Sequence, residues 1–384
     1  MKLQQAIIFF GIVFTVYGLV NYYIFRRVVS IVPDNFRTLF TVIFIFIAIS
    51  YVAGRFLENY WIWYVSDFLV WVGSFWIAIM FYTLLCLIVI DLFRLINHLL
   101  PFFPSVVTGN PERAKRFIAL IVAILVFVTV VGGFLNTRLI TTKRYNINIY
   151  KSAGELHSLT IVMASDLHLG TINGKSFAYN VVDRINKLKP DIVLLAGDII
   201  DEDIKPVLRD NVGEALLELK AKYGIYGITG NHEYIGGVND AVDYLLKHNV
   251  EMIRDGYIKI DNSFYIVGRE DRDSKRFADY NRKPLSKIME AVDRSLPIIM
   301  MDHQPFNLVE ARENGIDLQL SGHTHNGQLW PLDYIVGKIY ELPWGYRLIG
   351  NTHYIVSCGV GGWGPPIRTG SGPEIIKIKL NFMK

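Results

Sequence analysis

The sequence has few cysteines and few charges for its length. Only 2 of its 384 residues are cysteine, and Cys86 lies in an apolar run, so a disulfide framework is excluded. Charged residues make up 19% and hydrophobic residues 52%, which excludes a disordered chain. A formal net charge of +4 is too small for a nucleic-acid binder. No Asn-x-Ser/Thr acceptor for N-glycosylation is present either.

The scarcity of charge is confined to the first part of the chain. Residues 1–140 hold 10 Lys/Arg and 5 Asp/Glu, which leaves 29 and 30, respectively, for residues 141–384. The sequence therefore predicts a transmembrane region over residues 1–140 and a soluble domain over residues 141–384. The second domain is long enough to bury a full hydrophobic core.

Four apolar runs in the first region have the length needed to cross a bilayer, about 20 residues. They cover about residues 5–25, 38–57, 66–90 and 117–135. Arg26 and Arg27 directly follow the first run, which favours a retained helix over a cleaved signal peptide. A shorter apolar stretch, Leu92–Phe103, is interpreted either as an interfacial segment or as an extension of the preceding helix.

The distribution of basic residues between the loops predicts an orientation. The first and third loops hold seven Lys/Arg, and the opposite side holds five. Because basic loops stay in the cytoplasm, we expect an integral protein of the cell membrane with its soluble domain on the extracytoplasmic side. The spans contain almost no charge, which argues against a transporter. The lipid bilayer is therefore an expected partner, and nucleic acid is not.

From about Lys143 onward, short apolar runs alternate with amphipathic segments, which predicts a layered α/β domain. Strands are predicted over residues 159–165, 192–196, 224–229, 250–254, 257–260, 264–268, 298–301, 318–321, 346–349, 354–358 and 374–380. Helices are predicted over residues 176–189, 206–222, 241–248 and 285–294.

Five polar motifs follow five of these strands. In chain order they are Asp166-Leu167-His168, Gly197-Asp198-Ile199-Ile200-Asp201, Gly230-Asn231-His232-Glu233, His303 and Gly322-His323-Thr324-His325. Because ligands bind at the carboxyl ends of strands in α/β sheets, we expect these side chains to converge. Oxygen and nitrogen donors without a thiolate suit divalent manganese, iron or zinc. The glycines before Asp198, Asn231 and His323 are expected to let the backbone turn sharply.

The motifs resemble those of the calcineurin-like metallophosphoesterase superfamily, whose pattern is D-x-H, G-D-x-x-D, G-N-H-(D/E), H and G-H-x-H. The resemblance covers about residues 159–380, and the apolar spans before it resemble the membrane-anchored bacterial branch. It implies an N-terminal four-helix transmembrane region followed by a two-sheet α/β/β/α sandwich. It also implies a hydrolase that cleaves a phosphoester or pyrophosphate bond with a two-metal-activated hydroxide.

The resemblance further implies two divalent metal ions, with manganese favoured over iron and zinc. The first ion would be held by Asp166, His168, Asp198 and His325, and the second by Asp198, Asn231, His303 and His323. His232 is expected to protonate the leaving oxygen, and Glu233 and Asp201 to orient this group of ligands. Asp201 has an alternative role as a cap for the helix predicted near Pro206.

A loop rich in glycine and proline, residues 359–368, resembles a G-x-G-x-x-x-P-x-R loop of the same branch. Arg368 is expected to bind a substrate phosphate there, although a purely structural loop is the alternative. Asn326 directly follows the last metal ligand and is expected to line the substrate pocket.

Two other functions remain open. The first is a hydrolase specific for a lipid-linked or nucleotide-lipid pyrophosphate at the membrane surface. Trp330, Trp344 and Trp363 near the expected mouth would suit such a site, or would anchor loops. The second is a non-catalytic, ligand-binding membrane protein. The complete set of metal ligands together with His232 argues against it, because a binding module needs no proton donor.

Overall fold

The computed structural model describes residues 3–60 and 64–383, and the chain divides into two compact units. The first unit comprises Met1–Leu135 with Gly364–Ile367, and the second comprises Asn136–Trp363 with Arg368–Lys384.

In its described part, the first unit contains four helices that are long and apolar enough to cross a membrane. They are α1 (Leu3–Val29), α2 (Arg37–Tyr60), α3 (Tyr64–Leu99) and α5 (Pro111–Asn136), with a one-turn helix α4 (Ser105–Thr108) before the last. The expected four-helix region is thus confirmed. Of the two interpretations of the stretch from Leu92, the structure has the helix extension, because α3 continues unbroken to Leu99.

Small residues let α2 and α3 pack closely. A side chain at Gly73 would collide with the backbone of Tyr51, and one at Gly54 would lie 2.7 Å from the backbone nitrogen of Val70. Close approach at small residues is the usual way in which membrane helices associate, since burial from water contributes nothing inside a lipid bilayer.

The second unit, as far as it is described, contains two six-stranded sheets. The first has the strand order β1-β12-β2-β3-β4-β5, and the second has the order β10-β11-β9-β8-β7-β6. The strands are β1 (Thr141–Ile149), β2 (Ser158–Ala164), β3 (Ile192–Ala196), β4 (Ile225–Ile228), β5 (Glu251–Met252), β6 (Gly256–Ile260), β7 (Phe264–Gly268), β8 (Ile298–Met301), β9 (Leu318–Ser321), β10 (Gly345–Ile349), β11 (Thr352–Val356) and β12 (Glu374–Phe382).

Helices connect and cover these strands. They are α6 (Lys175–Lys187), α7 (Lys205–Asp210), α8 (Asn231–Gly236), α9 (Val238–Lys247), α10 (Ser274–Ala278), α11 (Leu285–Ile288), α12 (Val309–Glu313) and α13 (Leu332–Ile339).

The two sheets pack face to face, and β3 shows how its sequence achieves this. All five β3 residues are buried because the strand has a core on each side. Leu194 lies in a cluster with Ile299 of the second sheet, whereas Val193 and Leu195 lie in a cluster with α6. Side chains of a strand alternate between faces, so a continuous apolar run fills both cores. The result is the α/β/β/α sandwich that the resemblance implied.

Some predicted elements are wrong in length. The helix predicted over residues 206–222 stops at Asp210, and a 3-10 helix, Val212–Glu218, follows it. Asn211 breaks the helix with a left-handed φ of 49°, and the Gly213 N–H then donates to the Tyr244 hydroxyl (2.8 Å). The helix predicted over residues 285–294 likewise ends at Ile288 before a 3-10 turn. The strand predicted over residues 250–254 pairs only at Glu251–Met252.

Candidate metal centre

Adjacent parallel strands bring the predicted ligands together. In the first sheet, Asp166 and His168 follow β2, Asp198 follows β3 and Asn231 follows β4, and these strands are parallel neighbours. In the second sheet, His303 follows the parallel strand β8, and His323 and His325 follow its neighbour β9. The carboxyl ends of parallel strands lie at one edge of a sheet, so both sheets present polar side chains to one place.

The backbone at this edge is strained. Asp166, His168, Asp198, His323 and His325 all have positive φ angles, between 45° and 71°. Residues with a Cβ rarely adopt this conformation, which costs on the order of 1–3 kcal/mol each and clusters at functional sites. Five of the seven predicted ligands therefore have a conformation that is unfavourable for folding alone.

The glycines of the motifs serve two different purposes. Gly197 has a φ of 87°, as a sharp turn after the strand requires. At Gly230 and Gly322 the reason is space instead. An added Cβ would overlap the Asp198 carboxylate in the first case and the Asp166 carboxylate in the second. These two glycines thus let neighbouring loops approach the ligands closely.

Asp166, His168 and His325 form the first group of ligands. They are buried, and their ligand atoms all lie within 4.8 Å of one another. His168 Nε2 is 3.2 Å from His325 Nε2, and His325 Nε2 is 3.5 Å from Asp166 Oδ1. Two ring nitrogens and a carboxylate oxygen therefore face one small volume.

Asp198, His303 and His323 form the second group. His303 Nε2 is 3.1 Å from Asp198 Oδ2, and His323 Nδ1 is 2.8 Å from Asn231 Oδ1. The same Asp198 Oδ2 is 3.9 Å from His168 Nε2 in the first group. Asp198 thus faces both groups.

The donor atoms fit divalent cations. His303 Nε2 is buried and has no hydrogen-bond partner, while its Nδ1 is 2.8 Å from the Ala196 carbonyl oxygen. That carbonyl fixes the Nδ1 proton, so Nε2 faces Asp198. Burial alone would lower the pKa of His303, but Asp198 outweighs it and raises that pKa, so Nε2 must lose a proton when a metal ion binds. Oxygen and imidazole donors of this kind suit manganese, iron or zinc.

Backbone N–H groups hold the carboxylates in place. Glu233 accepts hydrogen bonds from the N–H groups of Asp198, Ile200 and Gly230 (3.1, 2.8 and 2.7 Å). Asp198 Oδ1 accepts a hydrogen bond from the backbone N–H of His232 (2.9 Å). Burial raises the pKa of Glu233. Glu233 therefore ties the loops after β3 and β4 together.

The charges of the ligands depend on one another. Burial alone would raise the pKa of Asp198, but the rings of His303, His232 and His168 outweigh it and hold that pKa well below its usual value. Burial and the neighbouring His303 lower the pKa of His323 to about 3. A neutral imidazole beside an ionised carboxylate is the protonation state in which both groups bind metal ions.

His232 lies beside the Asp198 carboxylate, and its ring also contacts Asp201. His232 Nδ1 is 3.1 Å from Asp201 Oδ1. Burial alone would lower the pKa of His232, but Asp198 and the hydrogen-bonded Asp201 outweigh it and raise the pKa to about 10. The capping alternative for Asp201 is wrong, because α7 begins at Lys205 with Ile204 at its N-cap position.

Arg368 is placed differently from the expected phosphate fork. Its side chain is only 1% exposed, and its Nη2 donates to the Cys358 carbonyl (2.8 Å) and to His325 Nδ1 (3.1 Å). Burial lowers the pKa of Arg368. Since a guanidinium only donates, His325 Nδ1 accepts this hydrogen bond, and the proton of the neutral ring then lies on Nε2, which must release it to bind a metal ion. The described contacts favour a role in orienting His325, and phosphate binding stays a prediction.

The other predicted residues of the pocket lie in the surrounding loops. Asn326 is half-buried beside His325 with a φ of 46°. Trp344 donates from Nε1 to Glu374 (2.9 Å), as a loop anchor would. Trp330 and Trp363 are about half exposed.

Sequence reasoning missed two aromatic residues near the centre. The ring of Tyr340 lies 6.0 Å from that of His323 and 4.6 Å from that of Phe306. Burial raises the pKa of Tyr340 to about 12, so this phenol stays protonated at neutral pH. Neither residue belongs to a motif, and only the fold brings them to the centre.

The chain is similar to known proteins. The sequence model of the calcineurin-like phosphoesterase family matches residues 159–327. An uncharacterized metallophosphoesterase of Aquifex aeolicus is 32% identical over 248 residues, which are 64% of this chain and 94% of that protein.

The chain is similar to two further relatives. An uncharacterized metallophosphoesterase of Campylobacter jejuni is 29% identical over 399 aligned residues, 98% of this chain and 99% of that one. A transmembrane protein with a metallophosphoesterase domain from Danio rerio is 30% identical over 246 residues, 61% of this chain and 56% of that protein.

Proposed function

Since the chain belongs to the calcineurin-like phosphoesterase family, we propose that it is a membrane-anchored hydrolase of a phosphoester or pyrophosphate bond that uses two divalent metal ions. The observation that carries this proposal is the position of Asp198, whose Oδ2 faces His303 Nε2 at 3.1 Å and His168 Nε2 at 3.9 Å. A carboxylate shared by two groups of ligands is what a pair of neighbouring ions requires.

The residues divide between the two ions as follows. Asp166, His168, Asp198 and His325 hold the first ion, and Asp198, Asn231, His303 and His323 hold the second. When bound, the ions neutralise the phosphoryl oxygens and lower the pKa of a water molecule. Manganese is the metal we favour, and iron and zinc are the alternatives.

His232 supplies the proton that the leaving oxygen needs. It lies next to the metal ligand Asn231 in the chain and is hydrogen-bonded through Nδ1 to Asp201. Asp201 thereby orients the ring, and Glu233 holds the loop that carries it. The two carboxylates act on His232 and on the backbone and are positioning residues. Asn326, beside His325, lines the space for the substrate.

Hydrolysis of bis-p-nitrophenyl phosphate by the full-length chain in detergent tests the proposal. We expect turnover that a chelator abolishes and that manganese restores better than iron or zinc. Asp198→Ala should be inactive, whereas Asp183→Ala, at an exposed position on α6 paired with Lys187, should match the wild type. Activity that survives chelation, or an active Asp198→Ala variant, would contradict the two-metal site.

A second candidate function is hydrolysis of a lipid-linked or nucleotide-lipid pyrophosphate. The observation that favours it is the short connection between the regions. Asn136 is the last residue of the candidate span α5 and the first residue of the second unit, which we call the catalytic unit, and β1 begins at Thr141. A preference for a vesicle-embedded substrate over a soluble one would support this candidate.

The same assays test the non-catalytic alternative. A chain that binds manganese and a phosphoester without turnover would be a binding protein. The side of the membrane needs a separate measurement, because the excess of seven over five basic residues is small. We propose the extracytoplasmic side of the cell membrane. A β-lactamase reporter fused after Lys384 should then protect cells from ampicillin, and a lack of protection would place the domain in the cytoplasm.

A further inference from the structure

An apolar surface lies on the helix that follows the metal centre. None of the α13 residues is buried, and Tyr334, Ile335 and Ile339 are 67%, 55% and 55% exposed. Trp330, just before the helix, is 52% exposed. We call Trp330, Tyr334, Ile335 and Ile339 the α13 surface. Residues 335 and 339 are one helical turn apart, so their side chains lie on the same face.

Other amphipathic helices of the catalytic unit are arranged the opposite way. Helix α6 buries Ala178, Val181, Val182 and Ile185 in the core beside the first sheet. Helix α13 has apolar residues of the same kind, but they face outward. A contiguous outward-facing group of large apolar side chains in a folded domain marks a contact surface for a partner.

Hydrogen bonds connect this surface to Asn136, the first residue of the second unit. Asn136, where α5 ends, donates from Nδ2 to the carbonyl oxygens of Arg368 and Ser371 (both 2.9 Å). Thr369, which follows Arg368 in the chain, accepts at Oγ1 a hydrogen bond from the Trp330 N–H (2.9 Å). Trp330 is therefore separated from the point where the chain leaves the candidate span by only two hydrogen-bonded steps.

The composition of the surface suits the boundary between lipid and water. Trp and Tyr are enriched at that boundary, where the ring is in the apolar layer and the polar edge in the headgroups. Lys338, one turn after Tyr334, is exposed beside them and can pair with anionic headgroups. A short helix with an apolar face and a basic residue at its edge is typical of interfacial helices.

The surface is also joined to the metal centre. His325 lies in the 3-10 turn His325–Gly327, and a side chain at Gly327 would collide with the backbone of Asp333 at the start of α13. The turn with the metal ligand and the helix with the apolar surface are thus in direct contact.

From these contacts we propose that the α13 surface lies in the interfacial layer of the bilayer that the chain's own spans cross. A consequence, which rests on the proposed function, is that the metal centre acts on phosphoesters displayed at the membrane surface. The proposal names the bilayer as the partner because the chain enters the second unit at Asn136, directly after the residues of the candidate span α5.

A spin label tests the contact without any use of activity. The full-length Cys86→Ser chain is reconstituted in lipid nanodiscs and labelled at Ile335→Cys; the remaining Cys358 is buried. The matched control is Leu246→Cys on α9, because Leu246 is also apolar and 50% exposed. We expect the label at position 335 to be accessible to oxygen and shielded from a water-soluble nickel chelate, and the label at position 246 to show the reverse.

Two results would overturn the proposal. Equal accessibility of the two labels to the nickel chelate would mean that α13 faces water. Shielding of position 335 from both oxygen and nickel would mean that another protein covers it. A double variant, Ile335→Ser with Ile339→Ser, gives an independent measurement. With the spin label at Trp330→Cys, we expect the label to be more accessible to the nickel chelate in the double variant than in the chain that keeps Ile335 and Ile339. Unchanged accessibility would contradict the proposal.

Activity separates this proposal from the proposed function. We expect the double variant to lose several-fold in kcat/KM on a phosphoester displayed on vesicles, relative to its kcat/KM on bis-p-nitrophenyl phosphate. Equal loss on both substrates would refute a role in membrane access. If the wild type hydrolysed neither substrate, the proposed function would fail, and the spin labels would still decide where α13 lies.

Discussion

The two regions of the molecule place the same kinds of side chain in opposite ways. In the membrane region, large apolar residues face outward, as with Leu19, Val42 and Phe127, each more than 60% exposed. In the catalytic unit, residues such as Leu194 and Ile299 are buried, and charged groups such as Asp166 and Arg368 are buried with them. The difference reflects the solvent, because lipid favours apolar surface and water does not.

The catalytic unit also contains exceptions to two rules for a domain in water, namely that charged side chains are exposed and that large apolar side chains are buried. The catalytic unit breaks the rule for charges at the metal centre, where several carboxylates and an arginine are buried at one strand edge. It breaks the rule for apolar residues at α13, whose exposed side chains resemble those of the membrane helices. The first exception indicates function, since buried charges cost stability, and the second is the surface for which we propose contact with the bilayer.

The largest expected effect comes from removal of a buried charge without a change in size. Asp166→Asn should lower kcat at least about a thousandfold, because a charged ligand to an ion that stabilises the transition state is lost. Burial raises the pKa of Asp166, so the charge is costly without a metal. The metal-free variant should therefore unfold in urea no earlier than the metal-free wild type. Earlier unfolding would show that Asp166 supports the fold.

The next effect depends on the leaving group. His232→Ala should lower kcat about a hundredfold or more for an alkyl phosphate, whose leaving oxygen needs a proton. The loss should be much smaller for p-nitrophenyl phosphate, since nitrophenolate leaves without a proton. Equal losses on the two substrates would indicate that His232 supports the metal ligands and donates no proton.

A smaller effect is expected from the arginine that contacts a ligand. Arg368→Met should weaken binding of the first metal ion about 10- to 100-fold, as loss of a group that orients a ligand does. Titration of the protein with manganese, followed by electron paramagnetic resonance, gives the affinity. If metal affinity were unchanged while KM for the phosphoester rose, Arg368 would bind substrate, as the sequence suggested.

The smallest effect is expected at the α13 surface. Ile335→Ala should change the free energy of unfolding of the catalytic unit by no more than about 0.5 kcal/mol, because the side chain is exposed. Ile299→Ala, in the core between the sheets, should cost about 2–5 kcal/mol. Urea titrations of both variants in detergent measure the contrast, and a large loss at position 335 would mean that α13 packs on protein.

Much of the fold followed from sequence patterns. The apolar spans and the alternation of strands and helices predicted a membrane region and an α/β domain, and the structure has both. Hydrophobic pattern could not predict where local geometry would end an element. Asn211 interrupts the helix predicted over residues 206–222, because the chain turns there and brings Gly213 against Tyr244. Strand β1 and helix α13 were missed, since β1 is largely exposed and α13 lacks a buried face.

The candidate site was predicted from motifs at strand ends, and the structure brings the seven predicted ligands together. What the motifs could not predict is the role of residues outside them. The loop that ends at Arg368 was expected to bind substrate, yet its guanidinium is buried against His325 and backbone carbonyls. Tyr340 lies near His323 only because α13 ends there.

By itself, the sequence determined the solvent of each region and the chemistry of the donors, because both depend on residue type and spacing along the chain. Apolar runs of sufficient length specify a membrane, and Asp, Asn and His after strands specify a site for divalent cations. The tertiary structure alone decided which atoms face one another. That Asp198 lies near both His168 and His303, that Arg368 contacts His325 and that α13 faces outward all depend on packing between segments far apart in sequence.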